Sequence, residues 1–368
     1  MTRNLLLGLG LIIFLASPAV AHGEQAWNEL NAEFTKAMDA FYEKMQKLSD
    51  GGDRMMFDPT SMPKHPIEEF RPKFRTYAEA HEGKPEAVPA LTSMLVPGMM
   101  MMGQSPDVGW ALDQLTKYHA DTPDIEQHFR AIRMAVMSAG EDRVIAFLEA
   151  VRKKSKNKET RGEARIAMAE ILVEESPMMR MMGGGDRSEK KARGIEMLKS
   201  VAADFAGTNL GERADRMLFA FENLRVGKKA PELVGKNADG EEVRLSQFKG
   251  NVVAIVFWAT WCKPCIQMIP HEREMVKQYK DRPFTMLGIN SDGDVSILKK
   301  TIKREKINWP TIFDGAPDTG KIVNKWRVQA FPTIFIIDHE GVFRHTQLAP
   351  FQLDSVVADL VAKAEKAG

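Results

Sequence analysis

Cysteine is the scarcest side chain here, with two in 368 residues. A chain crosslinked throughout for an oxidising compartment scatters its cysteines as staples, and this one cannot. The two stand at positions 262 and 265, so both belong to one local site. A four-ligand zinc site needs two further ligands, and no second cysteine pair exists to supply them. An excess of charge of either sign is lacking too. With 51 basic and 50 acidic residues the formal net charge is +1, and no basic patch with interleaved aromatics occurs. Nucleic acid and an anionic membrane surface are therefore not expected as main partners. Long apolar runs are absent beyond the first residues, which excludes an internal membrane span.

The opening residues have the make-up of an export signal. Arg3 supplies a positive start, Leu5 to Leu15 an apolar stretch, and Ala19-Val20-Ala21 a small-x-small cleavage site. Residues 1–21 are expected to be removed, leaving a periplasmic chain that starts at His22. The alternative is an uncleaved membrane anchor, because no Asp, Glu, Lys or Arg separates Arg3 from Glu24.

The remainder of the chain divides in two. Residues 22–225 read as a helical, methionine-rich domain. Trp27, Leu30, Phe34, Met38, Phe41, Met45 and Leu48 recur at helical spacing until Asp50-Gly51-Gly52. A short helix is expected from Pro66 to His81. Beyond Val108, helical pairs recur at about the 34-residue period of tetratricopeptide (TPR) repeats. The first pair is 111–118 with 125–138, the second 144–153 with 161–175, and the third 194–205 with 211–224. The repeat's tryptophan and proline positions are mostly missing, so the expectation is a TPR-like array of helical hairpins.

Of 23 methionines, eight form two clusters, Met99 to Met102 and Met178, Met179, Met181 and Met182. Thioether sulfur suits Cu(I), but methionine also fills irregular apolar gaps and adaptable binding surfaces. Neither cluster has a histidine or cysteine beside it, and no metal or other cofactor is expected.

From Val226 the pattern alternates β-rich runs with helices, the signature of a mixed α/β sheet. Val252 to Trp258 is a continuous apolar run, as in a central strand. Strands are also expected at 284–290, 333–337 and 342–347, a hairpin turn at Asp239-Gly240, and helices at 264–279, 295–305 and 353–367.

The chemistry lies in Phe257-Trp258-Ala259-Thr260-Trp261-Cys262-Lys263-Pro264-Cys265. A C-x-x-C at a strand-to-helix junction sets its first sulfur at a helix N-terminus, where unpaired N–H groups, the helix dipole and Lys263 stabilise a thiolate. Pro264 in the first turn forfeits no helical hydrogen bond. The spacing lets the sulfurs close a disulfide, and such a pair exchanges disulfides by thiolate attack and resolution. Ala330-Phe331-Pro332-Thr333 directly precedes a strand. A cis Phe331–Pro332 bond facing the cysteines would account for a proline there, leaving backbone groups to pair with a substrate peptide.

Together these stretches resemble the TlpA/ResA-like members of the thioredoxin superfamily. The matching features are VGKKAPEL at 226–233, VVAIVFWATWCKPC at 252–265, Pro270, VQAFPTIFIID at 328–338 and HEGV at 339–342. The resemblance implies a thioredoxin-like domain over 226–368 with a redox-active Cys262–Cys265 disulfide. It also implies Cys262 as exposed nucleophile, Cys265 as resolving thiol, Pro332 as cis-proline, and Trp261 and Phe331 flanking a docking groove. Two departures stand out. Thioredoxins carry a buried Asp where this chain has Val256, and ResA-like proteins a Glu where it has Met268, so neither acid is available to manage the resolving thiol's proton.

A peroxidase of the same fold would carry a threonine three positions before its nucleophile, and Ala259 occupies that slot. Two classes remain. One is an exported protein-disulfide reductase or isomerase, supplied by an unidentified electron-donor protein and docking clients on its helices. The other is a scaffold whose helical array is the working part, with a regulatory redox domain. Both cysteines together with the tryptophans and Pro332 favour the enzyme.

Overall fold

The computed structural model describes residues 18–50, 63–96, 105–173 and 186–367. Most of the expected export segment and both methionine clusters lie outside them. Among the described residues no helix is long and apolar enough to cross a membrane. The chain divides into two compact units between Met197 and Leu198.

The first unit is helical. It comprises α1 (Pro18–Asp50), α2 (Ile67–Ala80), α3 (Ala87–Ser93), α4 (Pro106–Tyr118), α5 (Phe129–Met134), α6 (Val136–Ala139), α7 (Glu141–Lys154), α8 (Lys158–Val173) and the start of α9 (Ser188–Asp204). The apolar stripe of α1 lies on α2, with Phe34 edge-on to Phe74 at 5.2 Å and Trp27 at 5.6 Å from Tyr77. Ser105 caps α4 by accepting from the Val108 amide, and Pro106 follows it. Val144, Phe147, Leu148 and Val151 of α7 share a core with Ala164, Ala167 and Met168 of α8. The single helix expected at 125–138 is instead a 3-10 turn (Ile125–His128) followed by the short α5 and α6. In α6 the Ser138 hydroxyl bonds the Ala135 carbonyl at 3.4 Å, a local side-chain bond of the kind that competes with a continuous helix.

The second unit is a seven-stranded sheet covered on both faces. Its strands are β1 (Val234–Asn237), β2 (Glu242–Arg244), β3 (Val252–Trp258), β4 (Phe284–Asn290), β5 (Thr311–Phe313), β6 (Thr333–Ile337) and β7 (Phe343–His345), in the order β2-β1-β5-β4-β3-β6-β7. Parallel pairing joins β3 to β4 and β4 to β5, and the other pairs are antiparallel.

Every residue of β3 is buried, and alternate side chains feed two cores, as the strand period of two requires. Val252, Ala254, Val256 and Trp258 meet α11 (Lys263–Gln278), α12 (Val295–Glu305) and α14 (Leu353–Ala367). Val253, Ile255 and Phe257 meet α10 (Asn209–Asn223) and the region of α13 (Lys321–Lys325). The sequence pattern groups α10 with the helical part, but Ala220 and Leu224 enter the core of the sheet. Amphipathicity shows that a helix has an apolar face, not which core receives it.

Candidate active site

β3 and β4 run parallel and end together at Trp258 and Asn290. Ala259, Thr260 and Trp261 cross from β3 to α11, and Cys262 is the N-cap of that helix, with Pro264 in its first turn. Its sulfur accepts from the Cys265 amide at 3.2 Å. That bond arises because an N-cap side chain lies over the free N–H groups of the first turn. The sulfurs form the Cys262–Cys265 disulfide.

Both cysteines are nearly inaccessible, Cys262 at 6% and Cys265 at 3%. Cys262 is therefore not the exposed member that the resemblance implies. The exposed large apolar side chain of the motif is its neighbour Trp261, at 61%. Its ring stands edge-on to Phe331, 5.5 Å between centroids. The Phe331–Pro332 bond is cis. Phe257 pairs with Thr333 across β3 and β6, so Pro332 and Phe331 come from the strand beside β3 at the cysteine end of the sheet. All five residues singled out from the sequence thus belong to that end.

Val256 and Met268 leave the two expected acid positions apolar, Val256 buried and Met268 packed against the same core. Two buried acids of these elements are not among the residues singled out from the sequence. Glu272 recurs on the buried face of α11 with Cys265, Ile269 and Met275. Burial pushes its carboxyl up from an ordinary 4.5 to about 7. Helical spacing carries that signal, since 265, 269, 272 and 275 make one stripe. Asp292 follows β4 and binds the loop in front of Cys262. No periodic pattern marks it. His271, the neighbour of Glu272, is exposed and pairs its Nε2 with Asp354 Oδ1 at 3.0 Å. Among the described residues no three His, Cys, Asp or Glu side chains converge as metal ligands.

Residues 226–346 match the AhpC/TSA family. Thiol-disulfide oxidoreductase ResA of Bacillus thuringiensis subsp. konkukian is 32% identical over 120 residues, 33% of this chain and 68% of that protein. ResA of Bacillus subtilis is 28% identical over 120 residues, 33% of this chain and 65% of the relative. Among solved structures, the thioredoxin domain of a thiol-disulfide oxidoreductase from Bacteroides vulgatus is 28% identical, with a TM-score of 0.35, and covers 38% of this chain and 99% of that one.

Proposed function

Since the chain belongs to the ResA family of thiol–disulfide oxidoreductases, we propose that it is exported and exchanges disulfides with protein substrates through Cys262 and Cys265, as reductant or isomerase. The observation that carries this is the Cys265 amide aimed at Cys262 Sγ from the first turn of α11. That donor and the helix dipole favour a thiolate at Cys262 over one at Cys265.

In the reduced protein the Cys262 thiolate attacks one sulfur of a partner disulfide. A Cys262–partner bond forms, and the other partner sulfur leaves as thiolate. Cys265 then loses its proton and attacks Cys262 Sγ, forming the intramolecular disulfide and releasing the second partner sulfur. Two electrons pass to the partner, and its two thiolates take up the two protons of the dithiol. A donor dithiol restores the protein by the reverse exchange. Trp261 and Phe331 make the apolar rim on which the partner's polypeptide rests, with Pro332 at the strand end beside it.

Residues 226–368 are read as the thioredoxin-like domain, and the helical unit as an array of hairpins that docks partners. Export rests on the composition of residues 1–21, and the periplasm is the compartment that fits it. Reduction of insulin by the full-length reduced protein, followed by turbidity, tests the reading. Activity lost in Cys262→Ser supports it, and no activity in the unsubstituted protein counts against it.

A further inference from the structure

Past the end of β4 lies a carboxylate with almost no exposure. Asp292 is 1% exposed, and both of its oxygens are engaged. Oδ1 accepts from the amide nitrogen and the hydroxyl of Thr260, each at 2.9 Å. Oδ2 accepts from Asn290 Nδ2 at 2.9 Å, and Asn290 Oδ1 accepts in return from the Asp292 amide at 3.2 Å. Asn290 is itself fully buried. Between them, the Ser291 amide donates to the Trp258 carbonyl at 2.9 Å. The crossing from β3 to Cys262 is thus fastened to the neighbouring strand on both sides of Ala259.

An amide oxygen could accept from Thr260 equally well. A buried charge is harder to desolvate than an amide, so a carboxylate at this point has an electrostatic consequence as well as a geometric one. Thr260 is two residues before Cys262, and a negative charge held on that loop disfavours a further negative charge on the sulfur the loop presents. Asp292 therefore opposes the helix N-terminus and Lys263, which favour the thiolate. Other charged groups of the neighbouring segments are Glu272 on the buried face of α11, Asp294 at the cap of α12, Asp314, whose amide donates to the Asn290 carbonyl at 2.9 Å, and Arg327 before Pro332. Of these, Asp292 is the one hydrogen-bonded to Thr260.

The geometry points to Asp292 as a positioning residue of the exchange reaction: it fixes the loop that presents Cys262 and, by its charge, holds the pair toward the reducing side. The inference rests on Cys262 being the nucleophile. A reduced form stabilised as thiolate makes a disulfide strongly oxidising. A buried carboxylate bonded to the loop that presents the sulfur works in the other direction, toward a protein that gives electrons to its partners' disulfides.

The test uses the full-length protein, Asp292→Asn and Asn290→Ala. The readouts are the pH midpoint of Cys262 alkylation and the equilibrium with glutathione redox buffers. Asp292→Asn keeps an acceptor for Thr260 and removes the charge. Its midpoint should fall, and its equilibrium should shift about tenfold toward oxidising, about 30 mV for this two-electron couple. Asn290→Ala leaves the charge with one donor fewer, and both quantities should move the opposite way. A structural role alone would lower the melting temperature of both variants without producing opposite shifts.

Unchanged midpoint and equilibrium in Asp292→Asn, or shifts of the same sign in the two variants, overturn the inference. If Asp292→Asn does not fold, the sign of the Asn290→Ala shift decides. Absence of exchange in the unsubstituted protein overturns the role of Cys262 and this inference with it. Missing shifts in a protein that exchanges disulfides overturn this inference alone.

Discussion

The amide nitrogen of Cys265 lies 3.2 Å from Cys262 Sγ, so the backbone of the residue proposed to resolve the mixed disulfide donates to the sulfur proposed to carry charge. Burial in apolar surroundings keeps a thiol protonated to higher pH. Both cysteines are buried in one apolar cluster, so the helix N-terminus and this donor, which act on Cys262, decide between the two thiols. Alkylation of the reduced protein near neutral pH should therefore label Cys262 first. Peptide mapping after brief treatment with iodoacetamide checks this, and preferential labelling of Cys265 would reverse the two roles.

Trp261 is exposed and its aromatic partner is Phe331. Such an edge-on pair contributes about 0.5–1.5 kcal/mol, and an exposed substitution typically changes fold stability by less than about 0.5 kcal/mol. Trp261→Ala should therefore lower fold stability by no more than about 1.5 kcal/mol. It should lower kcat/KM for a disulfide peptide by up to roughly tenfold, while turnover of a small-molecule disulfide changes much less. Equal losses on both substrates would show that the ring acts on the cysteines rather than on the polypeptide.

Glu272 makes the second unit less stable at neutral pH than in mild acid. Its carboxyl keeps its proton in the folded chain up to about 7 and, unfolded, loses it near 4.5. Between those values the unfolded state binds fewer protons, so stability falls as pH rises, and the loss is complete above the folded value. At 1.36 kcal/mol per pH unit the full effect is about 3 kcal/mol. Glu272→Gln should remove most of this slope, measured as denaturation midpoints across that window, and gain stability at alkaline pH. A parent protein whose midpoint stays flat across the window would contradict the buried, neutral carboxyl.

The helix α10 belongs to the sheet's core. Thr208 caps it by accepting from the Gly211 amide at 3.3 Å. Ala220 and Leu224 are buried in the sheet's core, and Lys325 and Arg327 lie over the rings of Phe219 and Phe221 at 4.3 and 5.0 Å. A fragment of residues 207–368 should fold cooperatively. One of 226–368 should be less stable by roughly 3–5 kcal/mol, from the apolar surface it uncovers. Urea denaturation of the two fragments compares them directly, and equal midpoints would show α10 to be an appendage.

The long elements of the second unit could be read from the sequence almost to the residue. β3, β4, α12, β6 and α14 follow from continuous apolar runs, helical stripes and caps such as Asp294, which accepts from the Ser296 amide. The short elements could not. β5 has three residues and gains its identity from β4 and β1 on either side. The five-residue α13 takes backbone donors to Asp314, which lies outside it in sequence. In both, the specifying partner is distant along the chain, where no local period can register it. The site divides the same way. Trp261, the cysteines, Phe331 and Pro332 stand in two contiguous motifs. The roles of Asp292 and Glu272 come from burial, which is a property of the folded state.

In the proposed exchange Cys262 forms the covalent bond with the partner and Cys265 breaks it. Full-length Cys265→Ser, reduced and mixed with a disulfide-bonded peptide, should accumulate one adduct detectable by intact-protein mass spectrometry. The adduct should map to Cys262 and be released by added dithiol. The Cys262→Ser variant should accumulate little under the same conditions. An adduct that builds up on Cys265 instead, or none in either variant, would contradict the mechanism.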